Sequence, residues 1–259
     1  MKRGRNGVRA MTFEHSMLRT ATFCLVAAGA IMVYSASSGT TLLSDGGDSS
    51  YYLKRYLVSA VIGLLALSFL ARRGLGAVRR LTPLLLALAL AGLVAVMLPG
   101  IGVEANGATR WIGLGPVQVQ PSEVAKLALV LYAASLIAAK PERVRSLQGV
   151  RPLLLVAGVM SALVVFEPDL GTAIVISLTL GALLIAGGMK IRDLLLLAGA
   201  LAVLALIFSL IEPYRRDRLV AFLDPWADAE GGGFQSVQGM IAIGSGGPFG
   251  VGLGESVQK

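Results

Sequence analysis

The run L-G-T-A-I-V-I-S-L-T-L-G-A-L-L-I-A-G-G-M-K-I-R-D-L-L-L-L-A-G-A-L-A-V-L-A-L-I-F-S-L-I, residues 170–211, reads as two consecutive membrane spans. Its apolar blocks, Leu170–Gly188 and Leu194–Ile211, are parted only by a short segment holding Lys190 and Arg192. Each approaches the roughly 20 apolar residues that a helix needs to cross a hydrocarbon core. The apolar residues form continuous blocks, without the polar face that a helix on a soluble core would show. Beyond Ile211 the chain changes character: E-P-Y-R-R-D-R-L-V-A-F-L-D-P-W, residues 212–226, opens a polar, glycine-rich segment that runs to Lys259.

Five more blocks precede these two: about Thr20–Ser38, Tyr56–Ala71, Leu81–Leu98, Ser122–Ala139 and the short Pro152–Phe166. The first lacks a small-residue cleavage site and reads as an uncleaved span. Hydrophobic residues make up 55% of the chain and charged residues 15%, with mean hydropathy +0.75. Soluble domains carry about 25% charged residues. The expectation is an all-α, polytopic transmembrane helix bundle. Residues 1–19 are a basic cytoplasmic tail, 20–211 the bundle of seven spans, and 212–259 an extracytoplasmic loop that is incomplete. Gly63, Gly92, Gly158 and Gly181 suit close helix approach. A lone cysteine, Cys24, excludes an internal disulfide, and a lone histidine, His15, argues against His-based metal sites and triads.

The net charge of +8 does not point to nucleic acid, because the basic residues track the loops. Lys2, Arg3, Arg5, Arg9 and Arg19 lie in the tail. Arg72, Arg73, Arg79 and Arg80 lie between spans two and three, Lys140, Arg143, Arg145 and Arg151 between four and five, and Lys190 and Arg192 between six and seven. The alternate short loops hold only Lys54, Arg55 and Arg110. Retention of Lys and Arg on the cytoplasmic side places the N-terminus inside, and seven crossings place residues 212–259 outside.

Candidate chemistry gathers in four places. In N-G-A-T-R-W (106–111), Asn106-Gly107 signals a turn. Trp111 beside Arg110 reads either as an interfacial anchor or as a ring packing on lipid or sugar, with Arg110 on a phosphate. In P-S-E-V-A-K (121–126), Ser122 is the expected helix N-cap and Glu123 favours the helix dipole. Lys126 lies on Glu123's face, either as a simple ion pair or as an intramembrane charge that marks a functional site. In E-P-D-L-G-T (167–172), Asp169 caps the next helix, whereas Glu167 has no local explanation. The two carboxylates form a network with Lys126, or hold a divalent cation, magnesium or manganese, that bridges to a diphosphate. In the last segment, Arg215, Arg216 and Arg218 meet lipid headgroups or grip phosphate oxygens bidentately. Gly231–Gly233 allow backbone shapes closed to other residues. Gln235 and Gln238, three apart, share a helix face. No nucleotide-binding fingerprint is present, and no organic cofactor is expected.

On G-A-T-R-W-I (107–112), Q-P-S-E-V-A-K (120–126), E-P-D-L-G-T (167–172), R-R-D-R-L-V-A-F-L-D-P-W (215–226), I-A-I-G-S-G-G (241–247) and G-L-G-E-S-V-Q-K (252–259), the chain resembles the SEDS family of FtsW, RodA and SpoVE. The D-P-W and G-L-G-E-S-V-Q-K forms are closer to FtsW or SpoVE than to RodA. The resemblance implies about ten spans, seven of them present, with a large outer loop after the seventh. It implies a peptidoglycan glycosyltransferase of the bacterial inner membrane, serving cell division, that polymerises lipid II and releases undecaprenyl diphosphate. A class B penicillin-binding protein and other divisome membrane proteins are the implied partners, with no nucleic acid. In the family an H-T-D-F segment, with the proposed catalytic aspartate, comes after the Q-K at 258–259. The expectation is therefore a C-terminally truncated, inactive fragment, in which Glu167 and Asp169 are the only conceivable general bases. Gly239 stands where the family has serine and Glu255 where it has asparagine or aspartate. The resemblance implies a substrate pocket of Arg110, Trp111, Glu123, Lys126, Arg215, Arg216, Arg218, Gln235 and Gln238. Two other readings stay open: a lipid II flippase, and a non-catalytic scaffold for the penicillin-binding partner.

Overall fold

The structure, a computed structural model, describes residues 3–44, 48–105, 108–114, 117–211, 221–252 and 255. It is an all-α multi-pass membrane bundle carrying one small sheet. The helices are α1 (Arg3–Ser44), α2 (Tyr51–Val96), α3 (Pro121–Ala139), α4 (Arg151–Phe166), α5 (Leu170–Ala186), α6 (Ile191–Ile211) and α7 (Phe234–Gly246). Every apolar block is helical. Four helices are long and apolar enough to cross a membrane: α1 through Phe13–Gly39, α2, α3 and α6. The apolar helices α4 and α5, of 16 and 17 residues, are shorter.

Two blocks share α2. A charged loop is expected over residues 72–80, but helical structure runs through it, broken at Gly74 (φ 70°, ψ 177°). Glycine accepts this positive φ without a Cβ clash, so one residue replaces a loop. The helix α1 likewise continues through the expected tail.

The chain divides into two compact units, one of Leu67–Val220 and one of Met1–Ala66 with Ala221–Lys259. In the first, α3 is packed between its neighbours. Ala125, Ala128, Leu129 and Ala133 are buried along one stripe of α3, and Leu153, Ala157, Met160 and Val164 along one stripe of α4. Ala173, Ile176, Leu180 and Leu184 do the same on α5, and Ala89, Leu93 and Val96 at the end of α2. Lipid tails are as apolar as these side chains, so close packing through small residues drives the association. Gly92 is one such contact, since a Cβ there would lie 3.2 Å from Cβ of Pro121. Gly63, Gly158 and Gly181 are not, for nothing lies within 4 Å of where their Cβ would be. No residue of α6 is buried, as suits a lipid-facing helix.

Between α2 and α3, where the sequence suggests a loop, the chain forms an antiparallel sheet of β1 (Gly102–Ala105), β2 (Ala108–Leu114) and β3 (Val117–Val119). Val103 pairs with Trp111 and Ile112 with Val119, with a bulge at Val103/Glu104. The expected Asn106-Gly107 turn lies outside the described residues, but Ala105 pairs directly with Ala108 across it. Because β3 leads into α3, the sheet stands at the N-terminal end of α3. The 3-10 turn Pro141–Arg145 stands at the other end.

In the second unit, α1 and α2 meet where Tyr56 Oη donates to the Val26 carbonyl at 2.9 Å. A Cβ at Gly29 would lie 2.5 Å from that hydroxyl. A 3-10 turn, Pro225–Asp228, precedes α7. Gly233 is needed there for space and not for an unusual dihedral: none of Gly231–Gly233 has positive φ, but a Cβ at Gly233 would collide with the Pro225 carbonyl oxygen.

Candidate functional site

Arg110 lies in the middle of β2, and its side chain reaches the turn between α4 and α5, 57 residues on. The guanidinium Nε donates to the Glu167 carbonyl at 3.1 Å, and a terminal nitrogen donates to the Pro168 carbonyl. The Asp169 carboxylate is 3.9 Å from Nε. The guanidinium thus satisfies carbonyls that the end of α4 leaves without helical partners. The Arg110 side chain remains 33% exposed and that of Asp169 13%.

Asp169 caps α5 as its sequence position suggests: Oδ1 accepts from the Thr172 amide at 3.0 Å and Oδ2 from the Thr172 hydroxyl at 2.8 Å. Glu167 closes α4. It is 3% exposed, and neither carboxyl oxygen has a hydrogen-bond partner among the described residues. Burial pushes this carboxyl up from 4.5 to about 7, the Asp169 charge adds to the rise, and Arg110 opposes it. An unpaired carboxylate is costly to desolvate, so the site favours the protonated form.

The expected network with Lys126 is not present. Lys126 Nζ contacts Glu123 Oε1 at 2.6 Å, and their side chains are 25% and 58% exposed. Of the two readings of this pair, the intrahelical ion pair is the one observed; neither residue is buried, and Arg110 is the cation beside the carboxylates. The Ser122 expectation also needs correction. Gln120, extended at φ −95° and ψ 114°, precedes the first helical residue, Pro121. Proline's fixed φ suits the first helical position, so Ser122 falls inside the helix. It is fully buried, with its hydroxyl unpartnered among the described residues.

Arg110 and Trp111 do not act on one surface, because successive strand residues point to opposite faces. Trp111 is half-buried opposite Val103. Gln235 and Gln238 share α7, the first exposed and the second half-buried, in the other compact unit. Arg215, Arg216 and Arg218 lie outside the described residues. The site feature that sequence reading misses is the sheet that positions Arg110. Its signal is present as Asn-Gly between stretches rich in β-branched and aromatic residues.

This arrangement offers a part-exposed guanidinium for an anion, held beside the Asp169 carboxylate and a Glu167 carboxyl that titrates near neutral pH. Among the described residues no three His, Cys, Asp or Glu side chains cluster as a metal site.

The chain is similar to proteins named as probable peptidoglycan glycosyltransferase FtsW. The protein from Thioalkalivibrio sulfidiphilus is 43% identical over 246 residues, covering 93% of this chain and 60% of the relative. The protein from Nitrosococcus halophilus is 38% identical over 241 residues, covering 92% and 62%. This chain thus spans about three fifths of the length of these curated relatives. Among solved structures it resembles a chain described under structural coordination of polymerization and crosslinking by a peptidoglycan synthase complex. The TM-score is 0.60 at 33% identity, covering 85% of this chain and 65% of the other. A point mutant of the rod shape determining protein RodA from Thermus thermophilus matches with TM-score 0.51 and 31% identity, covering 70% and 58%. Residues 15–259 match the family model FTSW_RODA_SPOVE, described as cell cycle protein, and the chain belongs to that family.

Proposed function

We propose that the whole protein is an FtsW-like peptidoglycan glycosyltransferase of the bacterial inner membrane, with its N-terminus cytoplasmic. It polymerises lipid II during division, releases undecaprenyl diphosphate, and works with a class B penicillin-binding protein. The observation that carries this reading is the part-exposed Arg110 guanidinium, held against Glu167 and Asp169 at the sheet end of the bundle.

In the reaction the acceptor 4-hydroxyl attacks the donor anomeric carbon and negative charge builds on the departing diphosphate. A guanidinium fixed before the reaction stabilises that charge without reorganising. Arg110 spends Nε and one terminal nitrogen on the turn, which leaves the other terminal nitrogen for a phosphate oxygen. Arg215, Arg216 and Arg218 supply further contacts. A protonated Glu167 limits repulsion of the diphosphate. In its ionised form Glu167, whose oxygens have no partner among the described residues, would be the residue to hold a magnesium or manganese ion, together with Asp169. Such an ion would add charge neutralisation at the leaving group.

Beyond Ser122 at the start of α3, the buried stripes of α3, α4 and α5 are apolar, which favours an enzyme over a transporter needing a polar path between faces. The test is polymerisation of lipid II by the full-length protein in liposomes. Wild type should form glycan polymer, and Arg110→Ala should not. Lipid II movement between leaflets without any polymer would instead support the flippase, and normal polymer from the Arg110 variant would remove the pocket.

A further inference from the structure

The end of the bundle opposite the sheet carries its own constellation. Lys140, Arg143, Arg145 and Arg151 surround the turn between α3 and α4, and Lys190 and Arg192 flank the turn between α5 and α6. These turns are packed together, since a Cβ at Gly187 would lie 2.8 Å from Val144 Cγ1. All six cations are exposed, and among the described residues none is in an ion pair. The nearby acids are Glu142, exposed, and Asp193, half-buried.

The turn is built, not loose. Val144 and Val150 are fully buried and anchor it. Ser146 Oγ accepts from the Gly149 amide at 3.3 Å. Gly149 admits no side chain, because a Cβ would collide with the Arg143 carbonyl oxygen. Between these supports lies an open cleft of about 450 Å³ lined by Glu142, Arg143, Ser146, Gln148, Gly149 and Pro152. Pro152 begins a stripe of α4 that points away from the core. Leu155 and Val159, on that stripe, are 67% and 51% exposed. A polar cleft with a cationic rim therefore opens directly onto an apolar helix face one to two turns away.

The geometry points to a headgroup site for an anionic phospholipid. Arg143 within the cleft and Arg151 at its edge hold the phosphate, and an acyl chain lies along Leu155 and Val159. A free phosphate would use the same cations but not the apolar stripe. Basic pockets beside transmembrane helices recognise anionic headgroups through this combination, at about five-fold in affinity for each Lys or Arg near the surface.

Native mass spectrometry of the full-length protein with phosphatidylglycerol or phosphatidylcholine tests it. Wild type should retain phosphatidylglycerol preferentially, and Arg143→Gln with Arg151→Gln should weaken retention by about 25-fold. The control is Arg79→Gln with Arg80→Gln, which removes equal charge elsewhere and should leave retention unchanged. An equal loss in the control would reduce the effect to net charge and overturn the site. So would displacement of the lipid by millimolar inorganic phosphate, which would mean that the cleft reads free phosphate. A photoreactive phosphatidylglycerol on the wild-type protein should label residues 141–159, independently of how any variant folds. Labelling confined to other segments would also refute the proposal.

Discussion

The two ends of the α3–α4–α5 bundle use the same residue types in opposite ways. At the sheet end, Arg110 is spent on two backbone carbonyls and an aspartate, and Glu167 is sealed from water. At the other end, six cations stand in solvent without an ion pair among the described residues. The sheet makes the difference. It lays a strand across the α4–α5 turn and brings a guanidinium to carbonyls that helix termination leaves open. Among the described residues the opposite turns have no such cover, which leaves their charges open to what arrives from outside. One end ties its arginine into the fold and seals an unpaired carboxyl beside it, while the other keeps its charges free.

Arg110→Ala should show the largest effect, since it leaves the Glu167 and Pro168 carbonyls without their donor and Asp169 without a cation. Losing hydrogen bonds from a charged donor costs about 1.5–3 kcal/mol each in partly buried sites. A fall in stability of the full-length protein on the order of 3–4 kcal/mol is expected, the low end of the sum for two bonds because the side chain is part-exposed, read by a melting assay in detergent. Lysine should not restore it, because a point charge lacks the planar fork. If alanine melts like wild type, the two ends do not differ in the way described.

Glu167→Gln should come next. The carboxyl binds its proton more tightly in the folded state, about 7 against 4.5. The folded chain then holds more protons than the unfolded chain between those values, so stability falls as pH rises through that window. The full drop is on the order of 3 kcal/mol, and it levels off above about pH 7. Melting temperatures at pH 5 and pH 7.5 should differ in wild type and converge in the glutamine variant. A profile unchanged by the substitution would mean that Glu167 finds a partner or water.

Asp169→Asn keeps a capping oxygen for Thr172 and removes the charge that helps to raise Glu167. The wild-type pH window should move down, with a stability change of at most about 1 kcal/mol from the cap. An unmoved window would place the cause of the Glu167 shift in burial alone. The smallest effects belong to exposed charges. Lys126→Met should cost no more than about 0.5 kcal/mol despite its 2.6 Å contact, because pairs this exposed are screened. Arg143→Gln with Arg151→Gln should likewise stay within about 0.5 kcal/mol. A larger loss from the arginine pair would show that the far end, too, is internally bonded.

Local chemistry is legible wherever its partner lies close in sequence. The Asp169 cap and the Glu123–Lys126 pair join residues three apart, and helical geometry alone brings them together. The single residue at Gly74 that replaces a loop is less legible, because a dense cluster of arginines looks like a turn whether or not the helix stops. The sheet escapes a sequence reading even though Asn106-Gly107 is a turn signal in the sequence, since its strands are only 4, 7 and 3 residues long. Runs that short carry too few alternations to stand out from a loop.

Continuous apolar blocks and the lysines and arginines between them were enough to specify a helical membrane bundle, and a handful of short motifs its family. Both are properties of contiguous segments, and for the spans the solvent preference of each segment enforces the outcome. Which cation meets Glu167 and Asp169 was a different kind of question. It depended on a strand 57 residues away crossing one particular turn, and the desolvation that favours the proton on Glu167 arises only when distant segments close around it.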